Sequence, residues 1–318
     1  MATASITAPG PRTRARRWAS GFRERETWAA FAFISPWLFG FVVFTAGPMI
    51  ASLVLSFTDY SIVQKTHGVG WANYQELFHD PKVRTSIRTT LIYTIMAVPA
   101  HVIAALSLAM LLARVGRAAG FFRTAFYLPV MTPAVAVGIL YLLMFNGSFG
   151  LVNDALAIVH IPGPFWTSDP TWVKPGLVLI IHVWAVGASV VILLAALMNV
   201  PVHLYEASAM DGASNWRRFW DVTVPMISPA LFFIVIINTI SALQTFDQVY
   251  TAFFNASTPY GTDASLFYVI YLFQEAFVYF RMGYASALAW ILFLIIMFVT
   301  VVQILVSRRY VYYEGDRR

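Results

Sequence analysis

The chain of 318 residues contains no cysteine, and only 11% of its residues are charged. Its only lysines are Lys65, Lys82 and Lys174. Each shortage excludes something. Without cysteine there can be no disulfide and no thiolate metal site, and the compartment stays open. No lysine follows a glycine, so there is no G-x-x-x-x-G-K-[ST] loop to cradle a nucleotide phosphate, and the chain is not itself an ATP-driven motor. The histidines (His67, His79, His101, His160, His182 and His203) are scattered without metal-ligand spacing, and no nucleophile sits beside a base. No cofactor or catalytic activity is expected. A soluble domain carries about 25% charged residues, and a surface this poor in charge could not be solvated.

What is present is apolar: 59% of the residues are hydrophobic, in long continuous runs. Several runs reach the roughly 20 residues that cross a bilayer. They must be helical, because a spanning segment has to satisfy its own backbone groups. The alternating ten-residue segments of an outer-membrane barrel are missing. The expected fold is therefore an all-α integral membrane protein with six transmembrane helices. They fall near Ala29–Phe57, Arg88–Ala113, Phe121–Phe145, Pro175–Val200, Ile227–Phe253 and Tyr284–Val306. Residues 1–28 form a basic tail, 29–306 the transmembrane domain and 307–318 a second tail. The N-terminal apolar run is far longer than the 7–15 residues of a signal-peptide core, so no cleavage is expected.

The net charge of +6 does not point to nucleic acid. The arginines cluster beside apolar runs: Arg12 to Arg25 before the first, Arg114, Arg117 and Arg123 between the second and third, Arg217 and Arg218 between the fourth and fifth, Arg308 and Arg309 after the last. The positive-inside rule then puts both termini in the cytoplasm. His101 and His182 lie inside spans and are expected to hydrogen-bond between helices. The apolar stretch Phe267–Met282, too short to span, reads as an interfacial or re-entrant helix.

One inner connection, residues 203–226, is unusually polar, with charges of both signs at Glu206, Asp211, Arg217, Arg218 and Asp221. A short helix from about His203 to Met210, a turn at Asp211-Gly212 and a second helix entering the membrane near Pro225 are expected. A helix lying along the membrane with small residues at Ala207, Ser208, Ala209 and Ala213 suits the groove of a soluble partner. The plainer reading is a solvated loop whose charges only obey topology.

Here the residues carry a resemblance. Glu206-Ala207-Ser208, three residues, Gly212, nine residues and Val222-Thr223-Val224-Pro225 resembles the E-A-A loop of bacterial ABC importer permeases. Ser208 and the two valines depart from that pattern but keep its spacing. The likeness extends from about Ala29 to Arg309 and resembles the maltose/glycerol-phosphate-type sugar permeases. Its further marks are Gly70…Asn73-Tyr74 with Asp80-Pro81, Leu128-Pro129, Gly150…Asn153 and Gly283-Tyr284-Ala285-Ser286-Ala287. The family's T-x-G-G-P-like turn after the fifth span is replaced by Phe254–Gly261, which puts the outer gate in question.

The resemblance implies that the loop is a coupling helix, docked on a separate ATP-binding subunit dimer through Glu206, Ala207, Ser208, Asp211, Gly212 and Pro225. It also implies a second permease subunit, an extracytoplasmic solute-binding protein and a sugar substrate, in a bacterial inner membrane. The fifth span carries Asn238, Ser241, Gln244, Thr245 and Asp247 among apolar residues. Asn238, Ser241 and Thr245 share a helix face at i, i+3, i+7. Polar groups at membrane depth turn to an interior or a water-filled cavity, so these are candidates for the substrate pathway, with interhelical bonding as the alternative. Two other functions remain open. An ion-coupled carrier would need several intramembrane carboxylates and related halves. A membrane assembly protein would need neither an organised inner loop nor a polar fifth span.

Overall fold

The computed structural model describes residues 25–62, 65–254 and 262–311. Residues 255–261, where the family's turn is replaced, and most of both basic tails lie outside them. Among the described residues the regular structure is helical, apart from one isolated bridge between Thr58 and Gly68. Four helical segments are long and apolar enough to cross a membrane, and up to six if two bent pairs each count as one span.

The first segment joins α1 (Arg25–Phe41) to α2 (Gly47–Leu55) through a π-helical turn at Val42–Ala46. A short helix, α3 (Ala72–His79), precedes the long α4 (Pro81–Arg114). Helix α4 begins well before the expected Arg88. Asp80 caps it, its carboxylate accepting from the Lys82 amide at 2.8 Å, and Pro81 fills the first turn, where no N–H is needed.

The stretches expected as the third and fourth spans are each a bent pair of helices. Helix α5 (Ala119–Tyr127) runs through a 3₁₀ turn at Leu128–Met131 and meets α6 (Ala134–Met144) at 96°. The cause is Pro133. It pushes Thr132 into an extended conformation (φ −72°, ψ 127°) and has no amide to continue the ladder. After α7 (Leu151–Ile158), α8 (Val173–Leu177) runs through a π turn at Val178–Val183 and meets α9 (Gly187–Met198) at 54°.

Helices α10 (Val202–Met210) and α11 (Asn215–Arg218) form the polar connection, and a π turn at Phe219–Thr223 leads into α12 (Val224–Leu243). Helix α13 (Asp247–Phe253) follows after a three-residue interruption. The stretch read as interfacial or re-entrant is α14 (Tyr268–Phe273) with a π turn at Gln274–Val278. One side packs into the bundle through the buried Tyr268, Ile270, Tyr271, Glu275 and Ala276, while Phe277 and Val278 are exposed. The last helix, α15 (Met282–Tyr310), closes the chain.

The core lies where α4 packs against α9, α12 and α14, and where α6 packs against α13. Tyr93, Tyr141, Phe253, Phe267 and Tyr268 fill it. The Tyr268 amide donates to Thr90 Oγ1 and its hydroxyl to the Leu288 carbonyl, tying α14 to α4 and α15 (both 2.9 Å). By contrast, α1 is almost wholly exposed, with Trp28, Phe33 and Trp37 uncovered.

Candidate functional site

The polar loop is built by its own backbone. Helix α10 starts at an extended Pro201 and stops at Gly212, whose φ of 73° lies in the left-handed region. The Gly212 amide donates to Ala209 and the Ala213 amide to Ser208, both at 3.0 Å. This is the paired closure of a Schellman motif, which favours glycine at that place. Ser214 then caps α11, accepting from the Arg217 amide at 3.3 Å, and Arg217 pairs with Asp221 at 3.1 Å.

The two faces of α10 differ. Leu204, Tyr205 and Ser208 are half-buried against the bundle. The Tyr205 hydroxyl lies 3.0 Å from Thr223 Oγ1, and Ser208 Oγ donates to the Tyr205 carbonyl at 2.9 Å. Glu206, Ala207, Ala209, Met210 and Asp211 are exposed, Met210 at 89%. Four of the six loop residues singled out from sequence (Glu206, Ala207, Asp211 and Gly212) therefore sit on one uncovered side. Ser208 turns inward, and Pro225 is half-buried in the first turn of α12.

On the fifth span the expected shared face of Asn238, Ser241 and Thr245 is broken. Helix α12 ends at Leu243, and the interruption at Gln244–Phe246 resets the register. Thr245 turns inward. It is 7% exposed, and its hydroxyl donates to the Ser241 and Ala242 carbonyls at 3.3 and 3.1 Å. Ser241, Gln244 and Asp247 are exposed, while Asn238 is half-buried with its amide on the Ile234 carbonyl at 2.9 Å. The interruption thus leaves Ser241, Gln244 and Asp247 as an uncovered polar strip.

His101 joins helices as expected. Its ring nitrogens lie 2.8 Å from the His182 carbonyl and 2.8 Å from Ser189 Oγ, which links α4 to the π turn at Val178–Val183 and to α9. The buried His182 ring lies beside the Tyr93 ring.

The end of the bundle away from the polar loop holds a polar cluster that sequence reasoning missed. Arg281 reaches both carboxylate oxygens of Glu76 at 2.6 Å and Glu275 at 3.2 Å, and lies 4.4 Å from the Tyr284 ring centre. Asp80 accepts from the Tyr271 hydroxyl, and from Tyr284 at 2.9 Å. Burial pushes the Asp80 carboxyl up, but these hydroxyls and the Lys82 amide outweigh it and hold it below its ordinary value. Asn73 donates to the Ser56 and Thr58 carbonyls, both at 2.8 Å, fastening α3 under the first span. Asn153 fastens the loop after α7, accepting from Trp166 Nε1 at 2.8 Å and donating to Pro164 at 3.2 Å. Each residue stood in the sequence, yet nothing there marked Glu76 and Arg281 as partners.

A helical bundle with bent apolar spans, a structured polar loop and a polar strip on an apolar helix defines a membrane transport subunit. Residues 68–312 match the family described as binding-protein-dependent transport system inner membrane component, and the chain belongs to that family. It is 38% identical over 295 residues to "Probable ABC transporter permease protein YesP" of Bacillus subtilis (strain 168), covering 92% of this chain and 94% of that protein. It is 33% identical to "Lactose transport system permease protein LacF" of Rhizobium radiobacter, covering 87% and 93%. The fold matches a chain of a bacterial alginate ABC transporter solved with an alginate pentasaccharide-bound periplasmic protein. That match has a TM-score of 0.77 and 21% identity, over 90% of this chain and 96% of that one. The chain is thus an inner-membrane permease subunit of a binding-protein-dependent ABC importer. It is not an enzyme, and ATP is hydrolysed on a separate subunit.

Proposed function

We propose that this chain is one of two permease subunits, pairing with a different second chain, that pass a sugar or oligosaccharide inward. The observation that carries the reading is the uncovered strip of Ser241, Gln244 and Asp247 on an otherwise apolar span. Facing lipid, such groups are costly. Facing a second subunit across a wet seam, they form a mainly neutral set of hydrogen-bonding groups suited to a polyhydroxylated solute. Asn238 completes the strip, while Thr245 supports it from behind. The lactose, starch-product and arabinooligosaccharide permeases among the relatives support the substrate class. The glycerol-phosphate relative keeps that solute as the competing case.

The chain crosses the membrane six times, each bent pair counting as one span, with the 1–28 and 307–318 tails and the 203–226 loop in the cytoplasm. The exposed side of α10 (Glu206, Ala207 and Asp211, shaped by Gly212) docks on an ATP-binding subunit dimer, and Pro225 starts the span that receives the motion. The outer loops meet the solute-binding protein. ATP drives transport because the nucleotide-bound dimer favours one conformation over the other.

The test is a cross-link. With no native cysteine, Ala207→Cys is a single reporter against a cysteine in the cleft of each co-purifying ATPase. Nucleotide-sensitive cross-linking is the expected result. Its absence from a folded complex containing every such ATPase would overturn the docking assignment.

A further inference from the structure

We infer that the cleft behind the polar loop is a binding site for the headgroup of an anionic phospholipid of the inner leaflet. The inference rests on the cytoplasmic placement of that loop. The cleft holds about 440 Å³ between the ends of α4 and α9, the inner face of α10, α11 and the π turn at Phe219–Thr223. Two guanidinium groups line it, Arg114 from the last turn of α4 and Arg218 from the end of α11, and no carboxylate does. Among the described residues neither arginine is within 4.0 Å of an acidic group. Arg218 spends one Nη2 bond on Asn215 Oδ1 at 2.8 Å, and among the described residues its buried Nε meets no acceptor. A desolvated guanidinium N–H without an acceptor is unfavourable and calls for an anion. The Tyr205 and Thr223 hydroxyls, 3.0 Å from each other, make the same wall polar.

The rest of the wall is apolar: Met110, Leu197 and Phe219 continue from the arginines toward the span interiors. A free phosphate has no use for that surface. A phospholipid does, with its phosphodiester on the arginines and the start of its acyl chains on the apolar wall. The depth agrees, since Trp216 and Trp220, 71% and 51% exposed on the same segment, are residues of the headgroup level. Basic pockets between helices on the cytoplasmic side suit lipid headgroups. The cleft also lies on the Tyr205 side of α10, away from the exposed Glu206–Ala207 side assigned to the ATPase. This argues against a carboxylate of that partner as the occupant.

The experiment uses the intact permease–ATPase complex. Retained phosphatidylglycerol and phosphatidylcholine of identical acyl chains are counted on the permease by native mass spectrometry, with inorganic phosphate as competitor. The wild type should prefer phosphatidylglycerol roughly thirtyfold, as two interfacial arginines predict. Arg114→Gln with Arg218→Gln should abolish the preference. The paired Arg→Lys variant and Arg123→Gln, outside the cleft, should keep it. If the double variant does not fold, Arg114→Gln alone, at an exposed position, should still cut the preference several-fold. Equal retention of both lipids by the wild type overturns the inference, and so does displacement of the lipid by millimolar phosphate. Loss of the ATPase from the Gln variants with lipid retention unchanged would assign the arginines to the partner instead. Failure of the complex to assemble in the wild type tests the importer reading separately, because lipid is counted on the permease chain.

Discussion

Arg281 and Glu76 stand 205 residues apart in the chain, yet the Arg281 guanidinium meets both oxygens of the Glu76 carboxylate at 2.6 Å. This contact fastens α3 onto the start of the last span. The same guanidinium neutralises Glu275, which is only 5% exposed.

The two carboxylates should respond differently to mutation. Glu76 and Arg281 are each nearly half exposed, so Glu76→Gln should cost under about 1 kcal/mol. Arg281→Met should cost about 1–2 kcal/mol, because it strands the buried Glu275 carboxylate; the partial exposure of Arg281 keeps the loss below that of a fully buried pair. Thermal melting of the purified complex checks this. Equal losses in the two variants would show that the buried carboxylate is not what matters.

Asp80 gives an acid dependence with a definite sign. Its folded carboxyl titrates below the ordinary value of 3.8, so its stabilisation is fully present above that value. It is lost as pH falls through the lower folded value. Melting temperature should fall on acidification below about pH 4. Asp80→Asn should lower stability at neutral pH and flatten that acid limb. A variant with an unchanged acid limb would remove Asp80 as its source.

Gly283 lies against the first span's outer end. Its amide donates to the Tyr60 carbonyl at 3.0 Å, and a Cβ there would run into the Thr58 carbonyl. Gly283→Ala should therefore cost about 1–3 kcal/mol through forced backbone movement. Gly40→Ala, where a Cβ meets open space, should be near neutral. Folded yield and melting temperature of the two variants decide the matter.

At Gly212 the obstacle is conformation, since a Cβ would meet open space but φ is 73°. Gly212→Ala should strain the turn by about 1–2 kcal/mol and disturb the docking side of α10. The expected signature is uptake falling more than ATP hydrolysis, measured together in proteoliposomes. A parallel fall in both would point to lost assembly rather than lost coupling.

The fifth span separates two kinds of polar residue. Gln244→Ala, on the exposed strip, should raise the KM for solute roughly tenfold and leave melting unchanged, the cost of one lost hydrogen bond. Thr245→Ala, at a buried hydroxyl bonded to the last turn of α12, should lower stability and leave KM alone. Transport kinetics beside melting curves would expose a reversal of these roles.

Much of this was readable from sequence because it is local. The apolar runs set the helices, Asp80-Pro81 marks a capped start, and Asp211-Gly212 marks the turn after α10. The bend at Pro133 was also written in the chain, but hydropathy averaged across Thr132-Pro133 hid it. The helical spacing of Asn238, Ser241 and Thr245 failed for a related reason, since counting assumed an unbroken helix through Gln244–Phe246. The Glu76–Arg281 and Asp80–Tyr271 pairings could not be read at all. They depend on how distant helices close, which one sequence does not encode by spacing.

The π turn at Phe219–Thr223 sets the angular bookkeeping of the whole joint. A π turn accommodates one residue more than the α-helix around it, and one residue is about 100° of helical rotation. Positions on α11 and α12 therefore belong to two different wheels, and a pattern read on one cannot be projected onto the other. A relative with a single residue fewer here could close the gap as plain α-helix and keep both faces in place. In an alignment, a one-residue gap between Arg218 and Val224 would thus signify a change of helix winding rather than a missing piece of loop.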